Sequence, residues 1–152
     1  MRWSEIGAQD CSVAKTLSVI GDRWTMLVLR EAFMRTRRFD DFQRATGAPR
    51  PVLSARLGAL VDEGVLERVP YGSSGARHEY RLTEKGLDLY PVIVSLLSWG
   101  DRWMPDESGP PVELRHKGCG AVMHPDLACP ECGEWLDARD VSARVRAPAR
   151  AN

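Results

Sequence analysis

Phe39-Asp40-Asp41-Phe42-Gln43-Arg44-Ala45-Thr46-Gly47-Ala48-Pro49-Arg50-Pro51-Val52-Leu53-Ser54-Ala55-Arg56-Leu57 is the stretch whose reading decides the fold. Its first nine residues read as a short helix stopped by Gly47, and Ala48-Pro49-Arg50-Pro51 reads as a turn. A second helix is expected from about Pro51, a residue favoured at a first helical position, to Glu63, with Gly64 closing it through a left-handed cap. Leu53, Leu57, Leu60 and Val61 give that helix an apolar stripe. Its other face, Pro51, Ala55, Gly58 and Ala59 flanked by Ser54, is thin. A thin face allows close approach to another surface, and a major groove is one such surface.

Upstream, Val13, Leu17, Ile20, Trp24, Leu27 and Val28 recur mostly three and four apart, as on an amphipathic helix, and Gly21-Asp22 interrupts the run. One helix is therefore predicted before that pair and another from Asp22 or Arg23 to about Phe33, with Asp22 as N-cap. Downstream, Val65–Val69 and His78–Leu82 alternate apolar with charged residues around the turn-rich loop Tyr71–Arg77. That is a two-stranded hairpin, which is marginal alone and must pack on the helices. Thr83 is placed to cap a long helix ending near Trp103, with Pro91 kinking it. Its two apolar rows, Leu87-Tyr90-Val94-Leu97 and Leu89-Ile93-Leu96-Trp103, exceed what one small domain covers, unless the helix is buried on all sides. A second copy of the chain is the economical partner.

Composition bounds the function. Of 152 residues, 43% are hydrophobic and 28% charged, a globular balance, and no apolar run approaches a membrane span. Met1-Arg2-Trp3-Ser4-Glu5 carries no signal-like apolar stretch, so a cytoplasmic location is expected. The formal net charge of +0 excludes a uniformly basic surface. From Arg23 to Arg81, however, eleven arginines face seven acids, a local surplus balanced by the rest of the chain. Arginine suits bidentate contacts to phosphate and guanine, although a solvated charged surface has the same composition. There is no G-x-S-x-G, Walker loop, G-x-G-x-x-G after a strand or H-E-x-x-H, so no enzyme is expected.

The four cysteines fall into two sets. Cys11 stands alone before the first helix with Lys15 one turn on, a setting that suits either a reactive thiolate or a small buried residue at a dimer interface. His116-Lys117-Gly118-Cys119 and Cys129-Pro130-Glu131-Cys132 give H-x2-C, nine intervening residues, then C-x2-C, each followed by glycine. Three sulfurs and an imidazole suit a closed tetrahedral structural zinc site, with His124 an alternative fourth ligand; a ribbon that has lost its metal, or disulfides, would leave the same trace. The expected organisation is a first domain over 1–104, a linker over 105–112 around Pro110-Pro111, a zinc-ribbon-like tail over 113–141 and a disordered end over 142–152.

Beyond this arrangement, specific strings resemble the successive signature segments of HxlR-type regulators, MarR-related winged helix-turn-helix proteins. They are Cys11-Ser12-Val13-Ala14, Gly21-Asp22-Arg23-Trp24-Thr25, Phe39-Asp40-Asp41-Phe42, Val52–Leu57, Leu60–Val65, Arg77–Gly86 and Trp99-Gly100-Asp101-Arg102-Trp103. The resemblance implies a mainly α fold with a small β-hairpin wing, and a homodimeric transcription regulator, in the repressor mould, on a pseudo-palindromic operator. Carried onto this chain, Arg50, Pro51, Ser54 and Ala55 would reach bases, and Arg56 would meet phosphate or an internal carboxylate. Ser73, Ser74 and Arg77 would be wing contacts. Some family members are similar to thiol sensors, which brings in Cys11, and a small-molecule effector would lie near Trp24, Tyr90, Trp99 and Trp103, aromatics that core packing explains equally well. A protein-binding adaptor using the same modules is the alternative.

Overall fold

Asp22 Oδ1 accepts the backbone N–H groups of Trp24 (2.9 Å) and Thr25 (3.2 Å), which opens helix α2 (Arg23–Phe33) just after α1 (Ser12–Ile20) has closed. A 3-10 helix, Trp3–Ala8, leads into α1 and packs on it. There follow α3 (Phe39–Thr46), α4 (Arg50–Asp62), antiparallel strands β1 (Leu66–Tyr71) and β2 (Arg77–Leu82), α5 (Glu84–Leu87) and α6 (Tyr90–Trp103). These come from a computed structural model that describes residues 3–73, 75 and 77–144. Ser74, one of the expected wing contacts, and residues 145–152 of the expected disordered end lie outside the described residues. The chain divides into two units between Leu97 and Ser98, inside α6.

In the first unit the α2, α3 and α4 helices pack together around Val28, Leu29, Phe42, Leu53 and Leu57, all fully buried, with Leu60, Val65 and Leu66 closing the cluster. The turn between α3 and α4 follows from Gly47, which adopts φ 69° and donates its N–H to Gln43 O at 2.9 Å. Helix α4 begins at Arg50, so Pro51 occupies its second position, not its first. This is a winged helix-turn-helix: mainly α with one two-stranded hairpin.

α2 and α4 end in the same way on different residues. After α4, Gly64 (φ 67°) donates to Val61 O and Val65 to Leu60 O, each at 2.9 Å. After α2, Arg35 (φ 67°) donates to Ala32 O and Thr36 to Glu31 O, each at 3.0 Å. Both are Schellman closures, and a side chain in the left-handed region costs roughly 1 kcal/mol that glycine avoids.

The hairpin pairs Leu66 with Leu82 through to Tyr71 with Arg77. The strands are thus longer than the alternation suggested, since Tyr71 and Arg77 belong to them rather than to the loop. Tyr80 fastens the hairpin: its N–H donates to Arg37 O at 2.8 Å and its ring meets Phe42 edge-on at 6.3 Å. The long helix expected after Thr83 is two helices. Thr83 Oγ1 accepts the Gly86 N–H (3.1 Å) and donates to Gly64 O (2.6 Å), which brings α5 against the start of β1. Gly86 is buried there, and a Cβ on it would collide with the Val65 carbonyl oxygen. The chain then turns through Asp88 and Leu89, and Pro91 falls in the first turn of α6, where its missing N–H is not needed. No helix among the described residues is long and apolar enough to cross a membrane.

Candidate nucleic-acid interface and the cysteine hairpins

Helix α4 divides by face. Leu53, Leu57 and Leu60 are buried, while Arg50, Pro51, Ser54, Ala55 and Ala59 are exposed. Arg50 is the best-defined of the exposed set. Its Nη1 lies 2.9 Å from Asp40 Oδ1 and 2.9 Å from Gln43 Oε1, and its guanidinium sits 4.7 Å from the Phe39 ring centre. It is therefore drawn back over α3, by exposed pairs worth at most about 1 kcal/mol and readily exchanged for a phosphate or a base. Ser54 and Ala55, one turn on, are small and exposed. Arg56 takes the internal route: its Nε lies 3.1 Å from Asp22 Oδ1, so the carboxylate that caps α2 also ties α2 to α4.

At the hairpin, Ser73 is exposed at the tip and Arg77 exposed at the start of β2. The structure adds two arginines that the sequence reading counted but did not assign. The Arg38 guanidinium lies 4.9 Å from the Tyr71 ring centre. Arg37 and Arg38 stand 4.0 and 3.9 Å from Glu79, whose carboxylate also takes Arg81 at 3.1 Å. The adjacent pair Arg37-Arg38 just before the α3 N-terminus was the available signal.

The sequence profile described as HxlR-like helix-turn-helix matches residues 19–108, more than half of the chain. The chain belongs to the HxlR-like helix-turn-helix family. An HTH-type transcriptional regulator of Mycobacterium tuberculosis (strain ATCC 25618 / H37Rv), itself uncharacterized, is 52% identical over 131 residues, covering 86% of this chain and 83% of that protein. The crystal structure of PA1607, described as a transcription factor, superposes with a TM-score of 0.80 at 36% identity, covering 91% of this chain and 96% of that one. The redox regulator HypR in its reduced form superposes with a TM-score of 0.57 at 29% identity, covering 60% of this chain and 92% of that one. The protein is thus an HTH-type, DNA-binding transcriptional regulator.

Within this HxlR-like chain, Cys11 is exposed at the N-cap position of α1 and makes no side-chain cap. Lys15 Nζ is turned to Asp10, 3.8 Å away. A cavity of about 260 Å³ opens beside α1, lined by Lys15, Thr16, Val19, Ile20, Val65, Lys85 and Leu89. Trp24 and Tyr90 do not line it; the Tyr90 ring meets Phe33 at a tilt with centres 5.3 Å apart, and Arg23 covers the Trp24 ring at 5.3 Å. Trp99 and Trp103 are exposed and belong to the second unit.

In the second unit the four expected ligands stand as two pairs, His116 with Cys119 and Cys129 with Cys132. His116 Nδ1 lies 3.3 Å from Cys119 Sγ. The Cys129 thiol is held below its ordinary range by the backbone N–H groups of Cys132 and Glu131 and by the Cys132 side chain. Three or more such side chains are not gathered at one point among the described residues. His124, the alternative ligand, is exposed outside both pairs.

Proposed function

We infer that this regulator acts in the cytoplasm as a homodimeric repressor on a pseudo-palindromic operator, inserting the start of α4 into the major groove. The observation that carries this reading is the division of α4, with three leucines sunk in the core and Arg50, Pro51, Ser54 and Ala55 outward. A helix fixed so firmly from behind holds its outer residues in register with base edges. Ser73 and Arg77 at the hairpin supply phosphate or minor-groove contacts beside it. Exposed Val13 on α1 and Tyr90, Val92 and Leu96 on α6 supply an apolar surface for the two-fold partner. Arg56, held by Asp22, serves as an internal brace between α2 and α4.

The test is binding of the full chain to duplexes from its own and neighbouring promoters across a salt series. Specific binding falls steeply with salt, and Arg50→Ala weakens it by about 1–3 kcal/mol. Absence of salt-sensitive binding to any of these duplexes overturns the reading in favour of a protein-binding adaptor.

The cavity beside α1 favours an effector as the second element. Its apolar floor of Val19, Ile20, Val65 and Leu89 and its two lysines suit a small aromatic acid. Thiol oxidation at exposed Cys11 is the competing input, in line with the description of HypR as a redox regulator. Cys11→Ser separates the two, since an effector response that survives it excludes the thiol.

A further inference from the structure

The segment from Ser98 to Arg144 contains no buried residue. Most of its larger apolar side chains are open to solvent, Leu127 at 68% and Trp135 at 71%, and Leu114 and Met123 are no more than half-buried. Hydrophobic burial therefore does not hold this unit together, and a segment this small folds stably only with a cross-link or a metal.

Past the end of α6 at Trp103, its order lies in two hairpins built alike. In the first, Arg115 bridges Val122, the His116 N–H donates to Ala121 O (2.9 Å) and the Gly120 N–H donates to His116 O (2.7 Å). In the second, Ala128 bridges Trp135, the Cys129 N–H donates to Glu134 O (2.8 Å) and the Gly133 N–H donates to Cys129 O (2.9 Å). One residue pair further out, Met123 donates to Leu114 O at 2.9 Å and Leu136 to Leu127 O at 2.8 Å. Gly120 and Gly133 occupy the same place in each turn, at φ 73° and 77°. The match runs position by position, so His116 corresponds to Cys129 and Cys119 to Cys132. Each turn thus presents two donor atoms at its tip. Gly118 contributes to the first pair, because a Cβ there would meet His116 Cε1 at 2.9 Å and push the imidazole off its place beside Cys119.

We propose that the two hairpins close on one structural Zn²⁺ held by His116, Cys119, Cys129 and Cys132, and that this ion is the cross-link of the second unit. Two like turns, each carrying one pair, are what a tetrahedral site divided between two halves requires. The His116 nitrogen facing Cys119 is Nδ1, 3.3 Å away, the atom placed to ligate. Three thiols release three protons to solvent on binding, giving three thiolates and a neutral imidazole around a divalent ion. All four positions are then filled, so the ion has no open position for catalysis. Ordering of the two hairpins against each other accompanies binding, as in other small metal-folded units.

The test uses the full chain purified under reducing conditions, with Zn²⁺ content measured and Co²⁺ titrated as a spectroscopic probe. About one metal per chain is expected, with the intense d–d bands of tetrahedral Co²⁺ and sulfur-to-metal charge transfer. Cys119→Ser, Cys129→Ser and Cys132→Ser each lose stoichiometric binding, His116→Ala loses the tetrahedral spectrum, and Cys11→Ser and His124→Ala retain both. Limited proteolysis gives a readout independent of metal content: the metal-bound chain resists cleavage between Ser98 and Arg144, and chelator removes that resistance. Failure to bind while all thiols titrate as free overturns the proposal. So does a Cys129–Cys132 disulfide in the purified chain, and loss of the site in His124→Ala but not His116→Ala overturns the ligand set.

Discussion

The two units of this regulator reach order by opposite means. Up to Leu97 the chain is organised around fully buried side chains, Phe42 and Leu57 among them, and its turns and caps serve to bring helices to that centre. From Ser98 on nothing described is buried, and once α6 ends at Trp103 the turns themselves are the structure. The first unit is specified by volume and apolar pattern, which tolerate many sequences of the right shape. The second rests on a few hydrogen-bonded positions and, on the zinc proposal, on four ligand atoms, which together tolerate almost no change. Mutational sensitivity should therefore sit in leucines in one unit and in cysteines and glycines in the other.

The sharpest way to break this comparison is to make one chemical change in both units. Leu57→Ala should cost roughly 2–5 kcal/mol in denaturant unfolding of the first unit, because a fully buried side chain leaves a cavity. Leu127→Ala, in a side chain 68% exposed, should stay within about 0.5 kcal/mol. Equal effects would mean that the second unit has a core after all. Next in size, Gly86→Ala should destabilise the first unit by roughly 1–3 kcal/mol, since the added methyl must push α5 off the Val65 carbonyl. A neutral outcome would show that α5 is not docked through Gly86. Smallest, and of opposite sign, Arg35→Gly should stabilise by roughly 0.5–1 kcal/mol by relieving the left-handed residue at the end of α2. A loss in thermal or chemical stability would mean that the Arg35 side chain contributes more than its backbone strain.

Much of the first unit was legible in the sequence because its signals are local. Asp22, Gly47 and Gly64 mark helix ends through neighbours two to four residues away, and the leucines of α4 announce its buried face. Where the reading differed, the cause lay at long range. Pro91 fits a kink or a first turn equally well, and the choice is made by Gly86 meeting Val65 across the chain. Tyr71 looked like loop because Gly72 follows it, yet its pairing with Arg77 keeps it in the strand. For Arg56 the sequence leaves phosphate and an internal carboxylate both open, and the carboxylate it stands beside, the α2 N-cap Asp22, is far away in the chain. In the candidate interface, the exposed face of α4 was readable from periodicity. The grouping of Arg37, Arg38 and Arg81 around Glu79 was not, because strand and helix terms meet there only after folding. The likeness of the two tail hairpins was likewise visible only as spacing until their hydrogen bonds could be compared.

The Glu79 cluster bears on how the regulator searches a genome. Three guanidiniums share one carboxylate midway along the hairpin, Arg50 is drawn to Asp40 and Arg56 to Asp22. Much of the positive field that would hold the protein on arbitrary DNA is thus neutralised internally. On the inferred α4-in-groove mode, a protein paired in this way is expected to dwell briefly on unrelated sequence and to gain most of its residence time from the few base pairs that fit α4. Occupancy of the right site then depends less on tight binding than on how little of the protein is lost to the wrong ones.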